Sequence, residues 1–359
     1  MLPLRGDKIL WSTALLLGIV GLLLVYSATV GLVFRYHPTM PEYYLVKQAL
    51  MLLVAFFIAY ALHLTDYRRW GPLFEVGWWI SLALLIYLFF RGSGAQRWMY
   101  IGGLSFQPSE LARSMLMGTL AYRMALQPEN LQTWQSALPL LGRIGITFAL
   151  IAPLNLSNGL LLLGFSLIFL YIGGMPLRTI GQITLMGLGV LLFVFFTAPR
   201  SRIWQARLAH FWKKENVPAD DYQRAHASLA VYSGGLWGKG PGHSTQRYYL
   251  PQSYSDFAFS VLIEEYGLIG GILILGLYGI FLWRIAGIAT IAQGMGQLFS
   301  IGSFLLIALQ VGVHVGVSLE VLPITGVPLP WISLGGTSLL VQAFLLGMLG
   351  SISHHTLSR

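Results

Sequence analysis

Long apolar segments with few charged residues recur along the whole chain and are separated by short polar stretches. A helix needs about 17–25 mainly apolar residues to cross a bilayer. By that measure the pattern predicts about ten transmembrane helices, near residues 9–33, 45–64, 73–90, 108–126, 140–154, 158–173, 179–198, 257–283, 297–317 and 337–353. The fifth and sixth segments are short, and one re-entrant pair is the alternative for them. The pattern therefore predicts an all-α polytopic membrane protein.

Composition agrees with this fold class. Apolar residues make up 56% of the 359 residues, only 10% are charged, and the mean hydropathy is +0.69. Soluble domains are less apolar and more charged than this. The chain has no cysteine, which excludes disulfides and thiolate chemistry. Its net charge of +9 reflects topology and contact with membrane lipids, and no nucleic-acid partner is predicted.

Lysine and arginine counts orient the predicted helices. An even number of helices places both termini on the same side of the membrane. The termini and the loops on their side hold nine basic residues, Arg5, Lys8, Arg68, Arg69, Arg123, Arg143, Arg178, Arg284 and Arg359. The short loops on the opposite side hold four, Arg35, Lys47, Arg91 and Arg97. Because cytoplasmic loops carry the excess of Lys and Arg, both termini are predicted to be cytoplasmic.

One large loop, residues 199–256, precedes the eighth helix. It is predicted to be extracytoplasmic, since long loops translocate regardless of their charge. Inside it, Trp204, Leu208 and Phe211 recur at helical spacing among basic residues. This spacing predicts an amphipathic helix that lies in the membrane interface or packs on the protein's own outer face. Together with this loop, residues 1–359 form a single predicted transmembrane domain.

The most informative polar stretch runs from Arg247 to Asp256 and leads directly into the apolar helix that begins near Phe257. Ionisable groups at membrane depth are costly and are candidates for function. Asp256 is therefore the predicted chemical centre of a membrane enzyme. The alternative is a structural acid that accepts hydrogen bonds from the amides opening the next helix.

A second charged stretch lies between residues 97 and 113. Gly102, Gly103 and Pro108 predict a turn that enters a helix. Glu110 and Arg113 are three residues apart, so they share one face of that helix and can pair. They form either a structural ion pair between helices or a charged wall beside an active cavity.

Two further stretches predict loops near Asp256. The glycine-rich run 234–242 lacks the Walker pattern and predicts a tight turn that brings Lys239 close to an anionic group.

Glu264 and Glu265 are predicted to be structural, with Glu264 roughly 12 Å deeper along the helix than Asp256. Three prolines and a Gly-Gly pair break the helix at 322–338, and such backbone is tolerated only in protein or beside a wet cavity.

Three segments carry a resemblance to a known family. Residues 96–113, 234–271 and 322–340 resemble, in order, the motifs of SEDS proteins, the bacterial peptidoglycan glycosyltransferases of the RodA and FtsW type. The resemblance covers nearly the whole chain. It implies a multi-pass enzyme of the bacterial inner (cytoplasmic) membrane that polymerises lipid II, a disaccharide-peptide on undecaprenyl diphosphate, for cell division or elongation.

The resemblance also implies roles for individual residues. Asp256 matches the essential acid of the family and is the predicted catalytic base. The predicted substrate-binding residues are Arg97, Trp98, Glu110, Arg113, Lys239 and Arg247. Arginines suit a diphosphate because their guanidinium donates forked hydrogen bonds. The sequence contains no dedicated metal cage, and a divalent cation, Mg²⁺ or Mn²⁺, bridging Asp256 and phosphate is left open as a cofactor.

The chain departs from the family at two places. Arg113 replaces the lysine that the family usually has, which keeps the charge but not the compact ammonium. The stretch 152–158 lacks the two acids of the family, so their role does not carry over. Residues 242–251 resemble the division-type members of the family, whereas residues 324–330 resemble the elongation-type members. The sequence therefore does not decide between the two branches.

The resemblance further implies partners. They are lipid II, membrane lipids and a class B penicillin-binding protein, a single-span transpeptidase that crosslinks the new strands. The outer apolar surfaces of the eighth and ninth spans are the predicted docking faces for this protein. A lipid II flippase is the alternative function, but its polar groups would run through the whole membrane. Here the polar motifs cluster at the outer ends of the spans.

Overall fold

A computed structural model of the chain describes residues 6–30, 42–91, 98–101, 104–197, 205 and 218–357. Within these residues the helices are α1 (Lys8–Ala28), α2 (Tyr43–His63), α3 (Trp70–Arg91), α4 (Pro108–Leu126), α5 (Leu138–Ile151), α6 (Leu156–Ile172), α7 (Leu177–Thr197), α8 (Pro218–Gly234), α9 (Ala258–Ile291), α10 (Met295–Ser318) and α11 (Gly336–Leu357). Short 3-10 turns lie at Tyr67–Arg69, Pro128–Leu131 and Gln246–Tyr248.

Each of the ten predicted spans coincides with one of these helices, which confirms an all-helical polytopic membrane protein. Among the described residues, α1, α2, α3, α9, α10 and α11 are long and apolar enough to cross a membrane. The fourth predicted span has the same first and last residues as α4. Pro108 marks the start, because the missing N–H of a proline is tolerated in the first turn of a helix. The fifth and sixth predicted spans are the separate, shorter helices α5 and α6.

Two elements were not predicted from the sequence. A small antiparallel hairpin pairs β1 (Met99–Ile101) with β2 (Leu104–Phe106) and leads into α4. Helix α8 lies inside the large loop 199–256, where its polar composition masks the helical pattern. The amphipathic helix predicted around residues 204–212 lies outside the described residues, apart from residue 205.

The described residues pack as two compact units. The first contains the described parts of residues 1–65, 217–288 and 307–359, and the second those of 66–216 and 289–306. In the first unit α11 packs along α2, and the ring of Trp331 stacks on Phe56 at 5.3 Å. In the second unit α3 packs along α4, and Phe74 stacks on Phe299 at 5.4 Å.

Polar side chains define several helix starts within these units. The carboxylate of Asp7 accepts the Leu10 N–H at the start of α1 and forms an ion pair with Arg284 at 2.5 Å. In the second unit the side chain of Asn155 accepts the Asn158 N–H and caps α6. Such caps satisfy amides that have no partner inside the helix.

Helix α9 is broken at Gly267, where the backbone takes φ 69° and ψ −174°. The break frees carbonyls and amides that a continuous helix would pair internally. The carbonyls of Glu264 and Glu265 accept the N–H groups of Lys239 and Gly240, both at 2.9 Å. After the break, the Leu268 N–H donates to the Gly235 carbonyl at 2.9 Å. The glycine-rich run 234–242 therefore fills the break in α9.

Glycine is required where this run meets α9. A Cβ atom on Gly267 would lie 2.2 Å from the Leu236 carbonyl oxygen, and one on Gly238 would lie 2.2 Å from the Glu265 carbonyl oxygen. Both residues also have positive φ, which costs other L-residues about 1–2 kcal/mol. Close backbone contact thus explains the glycine at 238, and positive φ explains those at 235, 240 and 242.

We expect Gly267→Ala to destabilise the protein by about 2–5 kcal/mol, because it combines left-handed strain with overpacking. The measurement is thermal unfolding of the purified protein in mild detergent. Gly276→Ala is the matched control on the same helix, since a Cβ at Gly276 meets nothing within 4 Å. Equal unfolding temperatures for the two variants would contradict the close contact at Gly267.

Candidate active site

Asp256 lies in the turn that immediately precedes α9, and its side chain is half-buried. Its backbone N–H donates to the Gln252 carbonyl at 3.0 Å, and its Oδ1 accepts from the Ser255 hydroxyl at 2.8 Å. Gln252 itself has a left-handed φ of 58°, so the turn is tight. The acid is therefore held at the mouth of an apolar helix, in the place that the sequence predicts.

The turn around Asp256 is bonded to the loop 319–335, which connects α10 to α11. The Leu334 N–H donates to the Tyr254 carbonyl at 2.9 Å, and the Ser333 hydroxyl donates to the Ser255 carbonyl at 2.8 Å. The same Ser333 oxygen accepts the Leu329 N–H at 2.9 Å. The predicted helix break in 322–338 is thus confirmed, and the loop supports the candidate site directly.

Glu264 fixes the loop segment between the glycine run and Asp256. Its carboxylate is fully buried and accepts the N–H groups of Thr245 at 3.0 Å and Gln246 at 3.1 Å. It also accepts the Ser244 hydroxyl and the Lys239 ammonium, each at 2.5 Å. These bonds meet the anion on several sides, which is what a buried carboxylate requires. The predicted structural role of Glu264 is confirmed.

Glu265 performs a similar task toward α1. Its buried carboxylate accepts the Ser27 hydroxyl and lies 3.8 Å from the Arg247 guanidinium. Arg247 donates to the carbonyl and hydroxyl of Ser27, at 3.1 and 2.8 Å, and its guanidinium lies 5.0 Å from the Tyr248 ring centre. These contacts tie the loop and α9 to the end of α1.

The two cations predicted to bind diphosphate in this unit are therefore already ion-paired. Lys239 pairs with Glu264 and Arg247 with Glu265. The Lys239 side chain is 29% exposed, whereas the Arg247 side chain is only 9% exposed. Lys239 is thus the better placed of the two to contact a ligand. The substrate-binding role of both residues stays a prediction.

The second unit holds the other predicted site residues. Trp98 is half-buried directly before β1, and Arg97 lies outside the described residues. Glu110 and Arg113 are both buried in the first turns of α4. Within the described part of the chain, Glu110 Oε2 has no hydrogen-bond partner. Glu110 and Arg113 thus lie one turn apart at the start of α4, and both their pairing and their role in substrate binding stay predictions.

A small cavity lies beside this pair in the second unit. Its lining includes Ser109, which directly precedes Glu110, and Asn155, which caps α6. Asn155 lies in the stretch that lacks the acids of the family, and here it serves as a helix cap. The two polar residues of the lining, Ser109 and Asn155, are therefore both neutral.

Sequence reasoning missed the small polar residues that hold the site. Ser27 and Ser333 contact Arg247 and the Asp256 turn, but isolated serines in apolar stretches give little signal. The ion pairs of Glu264 and Glu265 were also not assigned to partners, because Lys239 and Arg247 lie in the loop before α9, far from the two acids in sequence. Within the described residues, no group of three or more His, Asp or Glu side chains is arranged to hold a metal ion.

Comparison with known proteins places this geometry in a family. The chain is 29% identical to stage V sporulation protein E of Bacillus subtilis (strain 168), over 98% of this chain and 97% of that protein. It is 31% identical to a probable peptidoglycan glycosyltransferase FtsW of Geobacter sp. (strain M18), over 97% of this chain and 96% of that protein.

Solved structures agree with these relatives. The rod shape determining protein RodA of Thermus thermophilus matches with a TM-score of 0.69 and 27% identity, over 98% of this chain and 97% of that one. A chain from a peptidoglycan synthase complex, solved to explain the coordination of polymerization and crosslinking, matches with a TM-score of 0.77 and 26% identity over all of both chains. The family model of the cell cycle proteins FtsW, RodA and SpoVE matches residues 7–358. The chain therefore belongs to the FtsW/RodA/SpoVE family.

Proposed function

We propose that this protein is a peptidoglycan glycosyltransferase that polymerises lipid II into glycan strands at the outer face of the bacterial inner membrane. One observation carries the proposal. Asp256 is a half-buried carboxylate on a tightly bonded turn at the mouth of an apolar helix. The family membership and the glycosyltransferase relatives support it.

In the proposed reaction Asp256 acts as the general base. It removes the proton from the acceptor sugar hydroxyl, whose oxygen then bonds to the anomeric carbon of the donor. The bond between that carbon and the diphosphate oxygen breaks, and the undecaprenyl diphosphate leaves. The Ser255 hydroxyl, at 2.8 Å from Asp256 Oδ1, orients the carboxylate for this step. A general base of this kind contributes about 10²–10⁴-fold to the rate.

Positive charge must stabilise the leaving diphosphate. Lys239 is the proposed contact in the unit that holds Asp256, because its side chain stays 29% exposed beside its ion pair with Glu264. Arg97 stays a candidate from the sequence alone. Mg²⁺ or Mn²⁺ also fits this chemistry, since such ions bind one or two carboxylates together with substrate phosphates. Asp256 would be the protein carboxylate that holds the ion, and the ion would neutralise phosphate charge.

We expect Asp256→Asn to lower polymerisation by roughly 100-fold to 10,000-fold, because the amide cannot accept a proton as a carboxylate does. The measurement is synthesis of glycan from labelled lipid II by the purified protein. Asp66→Asn is the matched control. Asp66 caps a 3-10 turn by accepting the Arg68 N–H, and Asn caps such turns equally well.

Folding of Asp256→Asn should survive, which thermal unfolding in detergent would verify. If the folded variant polymerises lipid II at nearly the wild-type rate, Asp256 is a structural acid and the proposed mechanism is wrong. Lipid II transport into vesicles without any polymer from the wild-type protein would instead favour the flippase alternative.

We expect the large loop 199–256 to lie outside the cytoplasm, on the strength of the nine-to-four asymmetry in basic residues. The chain has no native cysteine, so single cysteines can be introduced without background. A cysteine at Asn216 should react with an impermeant maleimide in intact cells, and one at Gln127 should not. The reverse labelling pattern would overturn the topology.

We further propose that a class B penicillin-binding transpeptidase packs on α9. This helix exposes an apolar stripe in its second part, where Ile272, Leu273 and Trp283 are each 59–65% exposed. Gly276 lies on the same exposed part of the helix and offers a flat surface for a second helix. The match to a chain of a synthase complex supports a partner of this kind.

We expect Gly276→Trp to reduce co-purification of the transpeptidase in mild detergent several-fold, because the indole would block close approach of a partner helix. Leu185→Trp on α7 is the control, because Leu185 is also an exposed residue on an apolar helix, but in the other unit. Equal recovery of the partner with both variants would exclude this face of α9 as the docking site.

A further inference from the structure

His314 is a buried histidine on α10 that the proposed chemistry does not use. Its Nε2 accepts the N–H of Phe259 at 3.3 Å, and its Nδ1 lies 2.8 Å from the carbonyl oxygen of Val327. Phe259 belongs to the first turn of α9, and Val327 belongs to the broken loop 319–335. The ring therefore joins two elements that flank the candidate site.

The two partners define the state of the ring. A carbonyl oxygen can only accept, so Nδ1 carries a hydrogen, whereas Nε2 accepts an amide N–H and carries none. His314 is thus a neutral imidazole in one tautomer, with both nitrogens occupied by backbone groups. In this arrangement the ring acts as a spacer of fixed length rather than as a carrier of protons.

Both backbone groups need a partner from outside their own segment. The Phe259 N–H is one of the first amides of α9, which have no acceptor inside the helix. The Val327 carbonyl lies in a loop where Pro328 and Pro330 lack the N–H groups that could serve as donors. In an apolar environment each unmet group costs several kcal/mol, so one side chain that satisfies both is strongly held in place.

The bridge closes a ring of contacts around Asp256. Phe259 lies three residues after Asp256, and Val327 lies in the loop whose Ser333 donates to the Ser255 carbonyl. The same loop thus holds the Asp256 turn at one end through Ser333 and the start of α9 at the other end through His314. Removing His314 would break the connection between the start of α9 and this loop and leave the Ser333 and Leu334 bonds to the turn.

Apolar packing fixes the surroundings of this bridge. Phe257, directly after Asp256, is buried in a cluster with Val317 of α10 and Leu250 of the outer loop. Val313 and Ile324 pack against the same cluster. Because residues on both sides of His314 in α10 are held by this cluster, the ring has little freedom to change its partners.

We propose that His314 is a positioning residue, which sets the location of Asp256 by tying the start of α9 to the loop 319–335. The proposal rests on the proposed role of Asp256 as the base. A base must be within hydrogen-bond reach of the proton that it removes, and a displacement of about 1 Å can cost 10²-fold in rate. His314 therefore affects turnover without contacting the substrate.

The test compares purified full-length variants in the lipid II polymerisation assay, with kcat and KM measured separately. His314→Leu removes both hydrogen bonds at similar volume, and we expect kcat to fall about 10–100-fold while KM changes little. His314→Gln can still present an amide oxygen to the Phe259 N–H, so it should recover most of the lost kcat. Gln310→Leu is the control on the same helix, since the Gln310 amide is buried and bonded to Gln342 at 3.4 Å.

The decisive comparison is the double variant with Asp256→Asn. If His314 acts by placing the carboxylate, His314→Leu should slow Asp256→Asn no further, because the two effects are not additive. Thermal unfolding identifies variants that fail to fold. If His314→Leu fails to fold, His314→Asn takes its place in the test. Wild-type kcat in folded His314→Leu, or an undiminished further loss in the double variant, would refute the proposal. Near-normal activity of Asp256→Asn alone would instead refute the assignment of the base.

Discussion

Backbone polar groups inside an apolar environment must find their partners within the protein, and the candidate active site depends on how two breaks in the helices meet this requirement. The first break is at Gly267 in α9, where the glycine run 234–242 supplies both donors and acceptors. The second is the loop 319–335, whose groups bond to the Asp256 turn and to His314. The turn that carries Asp256 is bonded to the loop 319–335, and the helix that follows the turn is bonded to the run 234–242. Hydrogen bonds from segments distant in sequence therefore determine the position of Asp256.

This constraint separates the three acids at the start of α9. Glu264 and Glu265 follow Asp256 by eight and nine residues and are fully buried, each beside a cation and hydroxyl donors. Their charge is used to order the outer loop, since breaking a buried pair costs several kcal/mol. Asp256 keeps an exposed part of its side chain. Exposure therefore distinguishes the acid available for chemistry from the acids that hold the fold.

Hydropathy predicted the ten apolar helices well, because helix formation in a membrane depends on local composition. Local spacing likewise predicted that Glu110 and Arg113 lie one turn apart on α4 and that Asp256 lies at a helix mouth. The break at Gly267 could not be predicted in this way, since its hydrogen-bond partners lie about 30 residues earlier in the chain. The acids that pair with Lys239 and Arg247 likewise lie far from them in sequence. Helix α8 was missed because its composition is polar, so it does not stand out as an apolar segment.

The two sequence motifs around Asp256 are physically one structure. Residues 234–271 contain the turn, the glycine run and the break in α9, whereas residues 322–340 contain the loop that supports them. Three connections join them, from Ser333, from Leu334 and through His314. A substitution in either motif therefore alters the support of the same carboxylate. We expect function to respond to substitutions far from Asp256, because a membrane interior offers displaced backbone groups no water as an alternative partner.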